Sequence, residues 1–152
     1  MKELTYGQNK AEMKKIIIII SLFFVFGSTT AQTGVTDTLA YLQTIVANKA
    51  NYVGQPFYVL SNTLQIQIKY FSPFGGDHSK RNKETSTGFA FYFPINVNDL
   101  YLSYPRLSVK WKVPLNAEIS REIRDSNEHG KWLPNAVTFY NNAIISDIYI
   151  LE

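Results

Sequence analysis

The segment Arg106–Val113 alternates between polar and apolar side chains at every position, and this pattern constrains the fold more than any other stretch. Successive side chains of an extended strand point to opposite faces, so one face of this strand is apolar. The apolar face carries Leu107, Val109, Trp111 and Val113. The polar face carries Arg106, Ser108, Lys110 and Lys112. Such a strand belongs to an antiparallel sheet with one packed side and one solvated side, and Pro114 predicts its end.

Shorter patterns predict three further strands. Leu64–Tyr70 alternates in the same way, and Phe89–Phe93 places three phenylalanines on one face of a strand that Pro94 ends. Ser72–Ser86 lies between these two strands and is predicted to be a long hairpin loop, because Gly, Ser, Asn and charged residues dominate it. Ile144–Leu151 is apolar on both faces, which predicts a last strand in a central position of the sheet.

Helical spacing predicts a long first helix and two short helical segments. Asp37 or Thr36 is predicted to cap the first helix, and Gly54 and Pro56 to end it, since proline cannot continue the hydrogen-bond ladder. Its apolar positions follow helical spacing at Leu39, Leu42, Ile45, Val46 and Val53. One or two further turns are predicted from the spacing of Phe57, Leu60 and Leu64. Asn116 is predicted to cap a short helix, whose apolar positions are Ile119 and Ile123.

These elements predict an α+β fold in a single two-layer domain. One main N-terminal helix packs on one face of a mostly antiparallel sheet of about four strands. The strands come consecutively rather than in alternation with helices, which disfavours a doubly wound α/β fold.

The N-terminal part of the chain has the pattern of a secretory signal. Two lysines precede an apolar run of 11 residues, Ile16–Phe26, and the small residues Gly27–Ala31 follow it. A membrane-spanning helix needs about 20 apolar residues, so the shorter run matches a signal peptide that is cleaved before Gln32. Residues 1–31 are therefore predicted to be an extension and a cleavable signal. Met13 is the predicted true start, because acidic residues before it do not suit a signal.

The ending Thr30-Ala31-Gln32 resembles the signals common in exported proteins of the Bacteroidetes group of bacteria. The resemblance covers the signal alone and implies a small exported protein, either periplasmic or secreted. The chain contains no cysteine, so it is not expected to be a lipoprotein, and disulfides do not hold its fold. Residues 32–152 are predicted to be one globular domain that has no transmembrane segment and depends on its hydrophobic core for stability.

The predicted domain is close to neutral in charge. The chain has 15 Lys and Arg and 12 Asp and Glu, of which 11 and 10 fall in residues 32–152. Nucleic-acid binding depends on clustered cations that neutralise phosphates, so nucleic acid is not an expected partner. Arg106, Lys110 and Lys112 form a basic row that suits an anionic glycan or a lipid headgroup. Such a row more commonly keeps one face of a sheet soluble.

No catalytic, metal or cofactor motif stands out in the sequence. His78 and His129 each follow an acid in a predicted loop, and a carboxylate can orient an imidazole. A small hydrolase or metal-dependent enzyme that uses His78 or His129 is therefore kept as an alternative. The spacing matches no zinc motif, and the chain has neither a G-x-S-x-G elbow, a phosphate-binding loop nor a thiol nucleophile. We expect no catalytic residue, no bound metal and no cofactor.

Aromatic residues make up 14% of the chain, with ten Tyr and ten Phe, which is more than a core of this size usually contains. Tyr and Trp combine an apolar ring with a polar atom, a combination that suits binding surfaces. The predicted binding residues are Tyr92, Tyr101, Tyr104 and Trp132. We therefore expect a non-enzymatic binding module that contacts a protein or glycan of the cell envelope. A structural subunit of an envelope assembly is a further alternative.

Overall fold

The structure is a computed structural model and describes residues 37–75, 82–92 and 104–151. Within these residues the chain forms four α-helices and one four-stranded antiparallel sheet. The predicted α+β class is therefore confirmed. The predicted signal, His78 and Tyr101 lie outside the described residues.

The order of the helices and strands along the chain is irregular. The elements are α1 (Thr38–Ala47), a 3-10 turn (Lys49–Asn51), α2 (Phe57–Thr63), β1 (Tyr70–Gly75), β2 (Lys83–Ala90), β3 (Arg106–Asn116), α3 (Ala117–Ser126), α4 (Pro134–Tyr140) and β4 (Ile145–Leu151). Three strands follow one another directly, as expected for helices gathered on one side of an antiparallel sheet.

The strands lie in the order β1-β2-β3-β4, and each neighbouring pair is antiparallel. β4 is therefore an edge strand, and its predicted central position is wrong. Its apolar residues have a different cause, because one of its faces is buried in the core and the other is partly buried. Ile145 and Ile148 are buried in the core, while the side chain of Leu151 on the opposite face lies near Gly88 of β2. Backbone hydrogen bonds between residues 54–55 and Ile145 cover the first part of the outer edge.

The first helix starts as predicted and ends early. The Asp37 carboxylate caps α1 by accepting a hydrogen bond from the backbone N–H of Ala40 at 3.0 Å. α1 ends at Ala47, and the 3-10 turn follows, so Val53 lies outside the helix and is exposed. The predicted single helix as far as Gly54 is therefore wrong in its second half.

Asn116 caps α3 as predicted, because its side chain accepts hydrogen bonds from two backbone N–H groups of the first turn. The sequence patterns do not predict α4, which begins with Pro134. Proline is favoured at the first helical position, where its missing N–H costs no helical hydrogen bond. None of the described helices is both long enough and apolar enough to cross a membrane.

Three strands differ from their predicted bounds. β1 begins at Tyr70, so the alternating stretch Leu64–Lys69 lies over the core without being a strand. β1 and β2 both extend into the predicted loop Ser72–Ser86, which shortens the connection between them. β3 continues through Pro114 to Asn116. The register of β2 against β3 shifts there, so Pro114 has no paired residue in β2 and does not end the strand.

The core lies on one face of the sheet and is dense in aromatic rings. Phe57 of α2 stacks on Phe89 of β2 with ring centroids 4.7 Å apart, and Tyr140 of α4 stacks on Trp111 of β3 at 5.7 Å. All four helices and all four strands contribute side chains to this core or pack against it, and the described residues belong to one compact unit. Much of the aromatic content seen in the sequence is therefore used to fill the core.

Candidate functional site

Glu84 is a fully buried acid near the start of β2, and an irregularity of the sheet directs it inward. The pairing with β1 jumps from Ser86 to Glu84 between adjacent β1 residues, which leaves Thr85 as an extra residue. The register against β3 shifts at the same place. An inserted residue reverses the alternation of side chains along a strand, and bulges commonly re-aim a side chain in this way. The Glu84 carboxyl therefore lies on the core side of the sheet.

Four side chains surround this carboxyl, and together they form what we term the Glu84 cluster. The hydroxyl of Thr87 donates a hydrogen bond to Oε1, and the hydroxyl oxygen of Tyr140 lies 3.0 Å from Oε1 and 3.2 Å from Oε2. The indole Nε1 of Trp111 donates to Thr87 Oγ1 at 2.9 Å. The hydroxyl of Ser120 also lies close enough to the carboxyl to affect its pKa. The cluster thereby connects β2, β3, α3 and α4.

Burial determines the protonation behaviour of the cluster. Desolvation raises the pKa of the Glu84 carboxyl above its ordinary value of 4.5, and the hydroxyl groups of Thr87, Ser120 and Tyr140 only partly oppose this. The pKa of the Tyr140 hydroxyl is also raised, first by burial and then by the adjacent carboxyl. No Lys, Arg or His within the described residues forms an ion pair with Glu84. The surroundings therefore favour the neutral acid.

The hydrogen-bond partners of the carboxyl are donors. Thr87 and Tyr140 donate to it, and the Ser120 hydroxyl lies beside it. Ser120 in turn lies 3.2 Å from the carbonyl oxygen of Ala117, to which it donates. A general acid or base must come within hydrogen-bonding reach of a substrate. The members of the cluster are buried, so this arrangement suits a role inside the fold better than acid–base catalysis.

Tyr92 and Tyr104 form a second place of interest, directly beyond the ends of β2 and β3. Phe89 pairs with Leu107, and the same register carried to the end of the ladder places Tyr92 opposite Tyr104. Their ring centroids lie 4.3 Å apart, with a 39° angle between the planes. The side chain of Tyr104 is 50% exposed, whereas Tyr92 is half-buried. Two of the predicted binding residues therefore lie together as a cross-strand aromatic pair.

Trp132, a third predicted binding residue, is partly buried and packs against the aromatic rings of the core. Its ring makes edge contacts with Phe57 and Phe71 and stacks on Tyr140 at 5.8 Å. Its backbone N–H donates to the carbonyl of Lys69 at 2.8 Å, which covers part of the outer edge of β1. The structure thus brings Tyr92 and Tyr104 together and places Trp132 apart from them, while Tyr101 lies outside the described residues.

His129 lies in the turn that follows α3, where it is exposed and has a φ of 63°. Its neighbour Glu128 forms an ion pair with Lys131 at 3.5 Å. Within residues 37–75, 82–92 and 104–151, no group of three His, Cys, Asp or Glu side chains could hold a metal ion. His78, the other histidine of the alternative enzyme hypothesis, lies outside these ranges.

No known protein family, curated protein or solved structure matches this chain. Functional inference therefore depends on the chemistry of the Glu84 cluster and of the tyrosine pair. Sequence patterns identify the tyrosines by composition and miss Glu84, because the polar stretch Lys83–Thr87 has the composition of a loop. The extra residue that turns Glu84 inward leaves no sign in the hydrophobic pattern, since its effect arises only when three strands pair.

Proposed function

We propose that this protein is an exported, non-enzymatic binding module that contacts a protein or glycan of the cell envelope through the Tyr92–Tyr104 pair. The observation that carries the proposal is the half-exposed ring of Tyr104, which lies 4.3 Å from the ring of Tyr92. A ring already held in one orientation loses little conformational freedom when a partner binds to it. A tyrosine also offers both an apolar face and a hydroxyl group.

Two features of the described residues support binding over catalysis. Glu84, the acid with a raised pKa, is sealed in the core away from any external substrate. His129 occupies an exposed turn, away from any group of metal-ligating side chains in the described part of the chain. The proposed location, either periplasmic or secreted, depends on the signal pattern of residues 1–31.

The proposal can be tested by capture from an envelope extract. Tagged wild-type protein, recovered from the exported fraction, is compared with Tyr104→Ala and with Tyr58→Ala as a matched control. Tyr58 is 43% exposed on α2, so the two variants remove tyrosines of similar exposure from different surfaces. We expect a specific partner to be captured by wild type and by Tyr58→Ala, and to be lost with Tyr104→Ala.

Binding is then measured with the purified partner, whether protein or glycan, and with Tyr104→Phe as a further variant. Phenylalanine keeps the ring, so binding retained by Tyr104→Phe would assign the affinity to the ring face and not to the hydroxyl. Equal binding by wild type and Tyr104→Ala, each verified as folded, would remove the tyrosine pair from the proposal. Equal loss in Tyr104→Ala and Tyr58→Ala would do the same.

A further inference from the structure

The Glu84 cluster connects two helices to the sheet through a single carboxyl group. The carboxyl and Thr87 belong to β2, Ser120 belongs to the first turn of α3, and Tyr140 is the last residue of α4. Backbone ladders hold each strand, and internal hydrogen bonds hold each helix. Besides the chain connections, side chains join the helices to the sheet, and this carboxyl hydrogen-bonds with Tyr140 of α4 and lies beside Ser120 of α3.

We propose that Glu84 is a pH-sensitive latch, which as a neutral acid holds α3 and α4 against the sheet and on losing its proton weakens that attachment. This role is independent of the tyrosine pair, which lies beyond the other end of β2.

The groups that face Glu84 from each neighbouring element contain no compensating charge. β2 contributes the Thr87 hydroxyl, β3 the Trp111 indole through Thr87, α3 the Ser120 hydroxyl and α4 the Tyr140 hydroxyl. The backbone partners of Glu84 in the flanking strands are a glycine of β1 and a leucine of β3. Tyr140 is the one titratable side chain among these groups. Its raised pKa keeps it neutral in the range where the carboxyl ionises.

The direction of the pH effect follows from the protonation states. The folded protein binds the Glu84 proton more tightly than the unfolded chain, where the carboxyl has its ordinary pKa of 4.5. The contribution of this group to stability is therefore complete below that pH. It is lost as the pH rises from 4.5 to the folded pKa, and it changes no further above that value.

Burying a carboxylate without a neighbouring cation costs free energy, and contact with water relieves that cost. Glu84 reaches water only if one of its covering elements moves. α3 and α4 provide the hydroxyl groups on the helix side of the carboxyl. Ionisation of Glu84 therefore weakens the packing of these two helices against the sheet.

The direct test is a ¹³C NMR titration of the Glu84 side-chain carboxyl in wild-type protein. We expect its midpoint to lie above 4.5, the ordinary value for a glutamate carboxyl. The indole N–H resonance of Trp111, which reports the bond to Thr87, is expected to shift with the same midpoint. A midpoint at or below 4.5 would overturn the proposal. Glu118, which is exposed in the first turn of α3, supplies the control for the second test.

Urea denaturation at a series of values from about pH 4 to about pH 9 provides the second test. The folding equilibrium constant of wild type is expected to fall by up to about tenfold per pH unit within the affected window, which is about 1.4 kcal/mol. Glu84→Gln keeps the shape without a titrating group, so its profile should lack this fall, whereas the control Glu118→Gln should retain it. Parallel profiles for wild type and Glu84→Gln would overturn the latch. If Glu84→Gln does not fold, the titration of wild type decides alone.

Discussion

Gly130 connects the turn after α3 to the edge of β1, and its replacement by alanine should be among the most damaging changes of one methyl group in this fold. Its φ is +114°, a backbone conformation that side chains with a Cβ rarely adopt. A Cβ built at this position would lie 2.4 Å from the carbonyl oxygen of Phe71. Backbone atoms cannot move aside as the end of a side chain can, so the two segments have to separate.

The size of the effect follows from the two contributions. Forcing an alanine into a sparsely populated backbone region costs about 1–3 kcal/mol. Separating the segments also breaks the 2.8 Å hydrogen bond from the Phe71 N–H to the Gly130 carbonyl. That bond contributes about 1 kcal/mol. We therefore expect Gly130→Ala to lower the free energy of unfolding by about 3 kcal/mol, a large part of the stability of a small domain.

Gly54 supplies the matched control, because its φ is also positive, at +84°, and a Cβ there would meet nothing within 4 Å. Gly54→Ala should carry the conformational cost alone, about 1–2 kcal/mol. Urea denaturation measures both variants, and hydrogen exchange of the Phe71 amide locates the damage. We expect this amide to exchange faster in Gly130→Ala and to be unchanged in Gly54→Ala. Equal destabilisation by the two substitutions would refute the steric reasoning.

Three further predictions concern other polar groups. Tyr140→Phe removes a hydroxyl that donates to the buried carboxyl, and it should lower the free energy of unfolding by about 1–3 kcal/mol. Tyr149→Phe, at a partly exposed position, should change it little, and urea denaturation compares the two. Asn127 is buried and exchanges hydrogen bonds of 2.7 and 2.9 Å with the side chain of Asn135, so Asn127→Ala should cost about 1–3 kcal/mol by thermal unfolding. Lys49 lowers the pKa of Asp147 below 3.8, so Asp147→Asn should remove a small stabilisation that wild type loses only as the pH falls below that value. Denaturation at low and neutral pH measures this, and solvent screening keeps the effect small.

The sequence predicts those parts of the fold that local patterns determine. The alternation in Arg106–Val113 identifies β3, and the side chains of Asp37 and Asn116 cap the helices that they are predicted to begin. The prediction is wrong for the position of β4, because an edge strand with one buried and one partly buried face can have the same composition as a central strand. α4 is missed because its short sequence contains β-branched and aromatic residues, which are weak helix formers, and tertiary packing determines its conformation.

The candidate sites show the same contrast between what local sequence patterns predict and what tertiary packing determines. The pairing register of β2 and β3 distinguishes Tyr92 and Tyr104 from the aromatic residues of the core. Both tyrosines lie beyond the last paired residues of these strands. Trp132 has the same chemical character and packs against the core while partly buried. Glu84 is the opposite case, in which a charged residue within a polar stretch becomes one of the most buried side chains because of a single extra residue. Hydrophobic periodicity cannot show an insertion whose effect arises from the pairing of three strands.

The Glu84 cluster matters for the stability of this chain, because the chain is predicted to leave the cell and has no cysteine to form disulfides. An exported domain meets an external pH that the cell does not buffer, and without disulfides its stability depends on the core alone. Among the described residues, Glu84 is the acid buried in this core, and burial favours its protonated form. Acidification therefore stabilises this part of the fold, whereas Asp147 and its partner Lys49 become less stabilising at very low pH. The two groups act in opposite directions in separate pH ranges, so their combination predicts greatest stability in mildly acidic surroundings. A maximum at alkaline pH would contradict this prediction.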